Sequence, residues 1–204
     1  MRDDEPICGF VLVGGKSRRM GRDKSLLEFG GKPLARRAAD LLAPFVDRVA
    51  LVGLKDPYGQ LGLPVIEDKW PGEGPLGAVC TALLAFPTDW SIIMASDLPL
   101  ISERFIQLLI QLVRTTSADA VVPRTADGWQ PLAAAYHPRC RAVFQSAFEA
   151  GERSIISAFA TLAVQAITVE EMTAAGLGES EFVNVNTRED WARLADSVKA
   201  KETG

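Results

Sequence analysis

Histidine is almost missing from this chain: His137 stands alone among 204 residues, and cysteine occurs only as Cys8, Cys80 and Cys140. A single histidine leaves no Ser-His-Asp or Cys-His relay outside His137 itself, and no G-x-S-x-G marks a nucleophile elbow. His137 with Cys140 at i+3 is at most half of a zinc site, so the pair is read as a helix start. Three scattered cysteines, odd in number and without motif spacing, fit a reducing interior. Long apolar runs are missing as well. None approaches the ~20 residues that cross a bilayer, and the opening Met-Arg-Asp-Asp-Glu-Pro has no signal-peptide core. The expectation is a cytoplasmic protein with no membrane partner. Positive charge is not in excess either: a net charge of −4 offers no footprint for a nucleic-acid backbone.

What is present is ordinary globular composition, 48% apolar and 24% charged, in a length that suits a single domain over 1–204. Short apolar runs alternate with helical periodicity. Strands are expected at Ile7–Val13, Arg48–Val52, Pro64–Ile66, Trp90–Ala95, Ala118–Pro123, Pro131–Tyr136 and Val164–Val169. Helices are expected at Pro33–Leu42, Leu76–Phe86, Ser102–Thr115, Pro138–Ala150, Ser154–Phe159 and Thr187–Lys199. Phe105, Leu108, Leu109 and Leu112 show the i, i+3, i+4 spacing, and Ser102 and Thr187 stand as N-caps before acidic first turns. Continuous apolar strands such as "SIIMA" belong to parallel sheets covered on both faces. The fold class that follows is α/β, a mainly parallel twisted sheet with helices on both faces. Ligands of such sheets bind beyond the carboxyl ends of the strands.

The loop after the first strand is "FVLVGGKSRRMGRDKSLLEFGGKPL". Two phosphate motifs nearly fit it and fail. A Walker A would need glycine where Phe10 stands, and the G-x-G-x-x-G of "GEGPLG" follows a later strand and contains Pro75. Gly14 and Gly15 let backbone N–H groups approach a ligand closely. Lys16, Arg18, Arg19, Arg22 and Lys24 then place five cations within nine positions. Amides with cations suit a triphosphate, whose charge is spread over several donors.

The stretch resembles the nucleotidyltransferase signature L-A-G-G-x-S-x-R-M-G-x-D-K-x-L followed by G-K-P-L. It looks most like the molybdenum cofactor guanylyltransferases, the MobA family. "VIEDKWPGEGPLGAV", "ASDLPLI", "QPLAAAY" and "FVNVNTRED" agree in order, so the resemblance spans Leu12 to Asp190. It implies a Rossmann-like nucleotidyltransferase fold, with nucleotide bound by about 7–100 and acceptor by about 101–190. It implies that Leu12, Val13, Gly14 and Gly15 carry base and phosphates on main-chain groups, and that Lys24 meets the phosphates. Asp68 would stand near the nucleotide, and Arg19 would stabilise charge. Asp97, at the end of a strand, would hold Mg2+, a hard cation that takes one or two carboxylates beside phosphate oxygens. Gly77, Asn184 and Asn186 would serve the acceptor, and Trp129 and Gln130 would line its side.

Two departures from the family pattern stand out. Val13 replaces the usual alanine, and after the second strand "LVGLK" has Val52 and Gly53 where several relatives show an asparagine. The implied reaction transfers GMP from GTP to the terminal phosphate of molybdopterin, with or without molybdenum, and releases pyrophosphate. GTP and molybdopterin would be the substrates and Mg2+ the cofactor. Handover to other cofactor-synthesis proteins, and no nucleic-acid partner, belong to the same reading. A molybdopterin cytidylyltransferase and a non-catalytic carrier of nucleotide or pterin remain alternatives.

Overall fold

Alternation along the strands decides the architecture. Strand β1 (Ile7–Leu12) sends Ile7 and Val11 into one apolar cluster and Cys8 and Phe10 into another. Side chains of a strand leave opposite faces in turn, so one sheet separates two cores. The computed structural model describes residues 5–14, 23–185 and 190.

After β1 come a two-residue hairpin, β2 (Glu28–Phe29) and β3 (Lys32–Pro33), and helix α1 (Leu34–Leu42). The chain continues through β4 (Arg48–Gly53), the short α2 (Lys55–Tyr58), β5 (Val65–Glu67), α3 (Pro75–Ala85), β6 (Trp90–Ala95) and α4 (Glu103–Val113). It closes with β7 (Ala120–Thr125), β8 (Gly128–Trp129), β9 (Ala133–Tyr136), α5 (Cys140–Glu149), β10 (Val164–Ile167) and α6 (Val169–Ala174). The sheet order is β10-β7-β9-β6-β1-β4-β5, with β8 paired to β7. Every neighbour on the main path is parallel except β9, which runs antiparallel to both β6 and β7.

Helices α1 and α4 cover one face, where Ala35, Leu42, Phe105 and Leu109 are fully buried. Helices α3 and α5 cover the other with Leu76, Val79, Phe144 and Phe148. Each buried Leu or Phe contributes about 1.5–3 kcal/mol, so the two layers hold the strand ends in fixed register. Ser102 caps α4, accepting the Phe105 N–H at 3.3 Å.

Two expectations need correction. The strand expected over Val164–Val169 stops at Ile167, because Thr168 and Glu171 form a reciprocal capping box that starts α6. The helix expected over Ser154–Phe159 is a 3-10 turn, Ile156–Thr161. His137 precedes α5: its Nδ1 accepts the Arg139 N–H at 3.2 Å, and its ring meets Trp90 edge-on. Cys8, Cys80 and Cys140 are buried free thiols, and among the described residues no cluster of three or more His, Cys, Asp or Glu could cage a metal. The helix expected at Thr187–Lys199 lies outside the described residues, except Asp190.

Candidate active site

Three parallel strands, β1, β5 and β6, end around one cleft of about 420 Å³. Leu12, Val13, Gly14, Lys24, Asp68 and Asp97 all line it. These six residues come from four separate segments, and the strand register brings them together.

At the end of β1 the pairing runs one residue further, with the Val13 N–H on Val52 O at 3.0 Å. Gly14 then turns with φ 89°, a conformation that costs a side-chain-bearing residue dearly. Lys24 opens a 3-10 turn, Lys24–Leu26, capped by Asp23. Asp68 follows β5, its N–H on Gly53 O at 3.0 Å. Its Oδ1 accepts the Trp70 N–H and the Thr81 hydroxyl, both at 3.0 Å, so α3 itself fixes this carboxylate. Asp97 follows β6, where the Ser96 N–H reaches Leu12 O at 3.1 Å.

The electrostatics are uneven. Burial pushes the Asp97 carboxyl above its ordinary value, and the nearby Lys24 charge pulls in the opposite direction. Burial without enough counter-charge is what raises this carboxyl, so a cation brought beside it would be favoured. Asp97 is a single hard-oxygen donor, and Mg2+ fits such a site when phosphate oxygens and water complete its shell. The amino end of α3, introduced by Gly74 (φ 94°) and Pro75, forms the opposite rim. Its dipole favours an anion there.

The remaining sequence-derived residues are placed less uniformly. Gly77 is absent from the cleft lining. Its Cα faces the α3–α5 packing, where a Cβ would come within 3.1 Å of Phe148 and 3.2 Å of Trp70. Asn184 is exposed and precedes Val185, whose N–H donates to Asp97 O at 3.1 Å. Trp129 is half-buried with its ring edge-on to Phe159 and the Arg124 guanidinium over it, and Gln130 donates to Thr125. Gly15, Arg19 and Asn186 lie outside the described residues.

Sequence reasoning missed Tyr58, Asp23, Ser25 and Ser96, polar side chains gathered beside the cleft. Asp23 and Ser25 flank Lys24 within the signature, and that adjacency was the signal available. Ser96 had the same signal, standing before Asp97 in "ASDLPLI", whereas Tyr58 carries no pattern of its own. Glycine at position 53 has a physical reason: a Cβ there would stand 2.6 Å from Val13 Cγ2 and 2.9 Å from Val13 O.

A doubly covered, largely parallel sheet with a cation, two carboxylates and a glycine turn at its strand ends defines a nucleotide-handling α/β protein. Residues 9–165 match the model of the MobA-like NTP transferase domain. The chain belongs to this family of nucleotidyltransferases. It is 30% identical to a protein of Pelotomaculum thermopropionicum named "probable molybdenum cofactor guanylyltransferase", over 96% of this chain and 95% of that one. A Synechococcus elongatus protein of the same name is 34% identical over 92% and 97%. Among solved structures, molybdopterin-guanine dinucleotide biosynthesis protein A from Archaeoglobus fulgidus superposes with a TM-score of 0.82 at 25% identity, covering 95% and 99%. The fold extends to 4-diphosphocytidyl-2C-methyl-D-erythritolsynthase from Anaerococcus prevotii, with a TM-score of 0.71 at 14% identity and 97% coverage of both chains. Among the described residues no helix is long and apolar enough to cross a membrane.

Proposed function

We propose that the protein transfers GMP from GTP to the terminal phosphate of molybdopterin, with or without molybdenum, in the cytoplasm. The observation that carries the reading is the meeting of Leu12–Gly14, Lys24, Asp68 and Asp97 on one cleft. The names of the relatives support the choice of GTP and molybdopterin.

An oxygen of the molybdopterin phosphate attacks the α-phosphorus of GTP. One P–O bond forms, the bond to the β-phosphate breaks, and pyrophosphate leaves. Both reactants are anions, so the barrier is one of positioning and charge neutralisation. Lys24 meets the phosphates, and Arg19, from the same loop, adds a second cation. The main chain of Leu12–Gly15 carries base and phosphates, with Asp68 near the nucleotide. Mg2+ on Asp97 would supply neutralising charge at the phosphates. Asn184, which precedes the residue bonded to Asp97 O, and Asn186 would face the acceptor, and Gly77, packed between α3 and α5, would let α3 begin close to the nucleotide. Handover of the product to other cofactor-synthesis proteins belongs to the same proposal.

Nucleotide binding tests this reading directly. Melting curves with GTP, CTP, ATP and UTP, each with and without Mg2+, should show stabilisation by GTP, enhanced by Mg2+. At a hundred times its Kd a ligand adds about 2.7 kcal/mol, a shift easily seen. Stabilisation by CTP in place of GTP would overturn the guanine assignment, and silence from all four would overturn the reading of the cleft.

A further inference from the structure

Beside the cleft, four polar side chains form one connected set. Tyr58 is 1% exposed. Its ring passes Gly53 and its hydroxyl passes Gly14, each at 3.5 Å from where a Cβ would stand. The Tyr58 hydroxyl donates to Asp23 Oδ2, and Asp23 Oδ1 accepts the Ser25 N–H at 3.0 Å. Ser25 Oγ accepts the Gly14 N–H at 3.1 Å and shares a 2.9 Å hydrogen bond with Ser96 Oγ. Ser25 and Ser96 are 2% and 6% exposed.

The set joins the ends of β1 and β6, the turn at Lys24 and the segment after β4. Lys24 lies between Asp23 and Ser25, and Asp97 follows Ser96 in the chain. Burial, reinforced by the Asp23 carboxylate, pushes the Tyr58 phenol above its ordinary range, so it remains a donor at any working pH. A buried network with its members satisfied rigidifies what is attached to it.

We propose that Tyr58, Asp23, Ser25 and Ser96 are positioning residues that hold Lys24 in place relative to Asp97 and to the Gly14 turn before any phosphate arrives. The assignment rests on the reading of Lys24 as a phosphate ligand given above. It goes beyond that reading by making the affinity for phosphate depend on a tyrosine that touches none. The geometry also gives the Gly14 N–H a second duty. Ser25 Oγ accepts it, and that hydrogen bond fixes the turn with φ 89°.

Inorganic tripolyphosphate is the probe that separates this proposal from the choice of base and acceptor. Its Kd is measured by titration calorimetry for the wild type, Tyr58→Phe, Lys24→Ala and the double variant, with melting curves for each. Tyr58→Phe removes one oxygen and leaves the ring in place. Ordering one long side chain at the moment of binding weakens affinity about tenfold, so Tyr58→Phe should raise Kd by that factor. In the Lys24→Ala background the same substitution should change Kd by less than about twofold, since the residue it positions is gone. An equal loss in both backgrounds would show a merely structural role and overturn the proposal. No loss in either, or no tripolyphosphate binding by the wild type, would overturn it too. If the cycle holds while GTP and molybdopterin give no pyrophosphate, the function assigned above fails alone. Ser25→Ala is the second variant: it should repeat the Lys24-dependent loss, and Kd values unaltered from the wild type would count against the set.

Discussion

Replacing Asp97 by asparagine should cut nucleotidyl transfer by a factor on the order of 10²–10³ and yet raise the melting temperature of the protein without ligand. The two effects share one cause. Burial raises the proton affinity of Asp97 in the folded state above the ordinary value of 3.8. A raised carboxyl contributes stability that is present below its unfolded value and lost as pH rises through its folded value. At neutral pH the ionised group is therefore a cost to folding, which asparagine, of nearly the same shape, does not bear. Function requires that cost, because the charge is what would hold Mg2+ beside the phosphates. Loss of one preorganised charge-stabilising group lowers turnover on the order of 10²–10³-fold. Melting curves recorded from below pH 3.8 to neutral should converge at the acid end and separate as the pH rises, with the variant higher. A variant that melts lower at neutral pH, or that keeps wild-type turnover, would contradict this account of Asp97.

Gly53→Ala should be the most damaging single methyl group on the nucleotide side. The new Cβ would meet Val13 Cγ2 at 2.6 Å and Val13 O at 2.9 Å. Neither contact relaxes by a small rotation. Valine is stiff at χ1, and the oxygen belongs to the main chain of the loop. Overpacking of this kind costs about 1–3 kcal/mol. Because Val13 lines the cleft, GTP affinity should fall along with stability. Val13→Ala removes the first contact and leaves the second, so the double variant should be less destabilised than the two single losses added together. Thermal denaturation and GTP titration of the four proteins check this. Additive losses would show that the two positions are not coupled, and a fully stable Gly53→Ala would refute the steric account. The same contact ties the two positions together: Val13 fills the space that a side chain at position 53 would need.

The legible part of the fold was the part written in long apolar runs. "CGFVL", "VALVG" and "SIIMA" announce central strands whatever their neighbours do, and β1, β4 and β6 lie where the runs are. The reversal of β9 was hidden because "AAAY" records burial and carries no direction. Its antiparallel course follows from the β8 turn and from its place between β6 and β7. Helix α6 was legible in "TVEE", which has the capping-box spacing, but the apolar run before it drew the strand too far.

The site divides in the same way. Lys24 and Asp97 sit inside motifs, and the fold brings both to one cleft. Tyr58 reaches Asp23 across 35 positions, and Ser25 reaches Ser96 across 71. Contacts of that separation leave no local pattern to read. Gly77 shows the opposite limit: its motif placed it near the ligand, while the packing of α3 on α5 decides which way it faces.

The central claim is a reaction, and pyrophosphate release tests it most directly. Purified protein, Mg2+ and molybdopterin are incubated with GTP or with CTP, and pyrophosphate is followed together with the nucleotide-linked pterin. The account predicts stoichiometric release of both products with GTP, only when acceptor is present, and none with CTP. Release with CTP alone, or GTP binding without any turnover in the presence of acceptor, would contradict it.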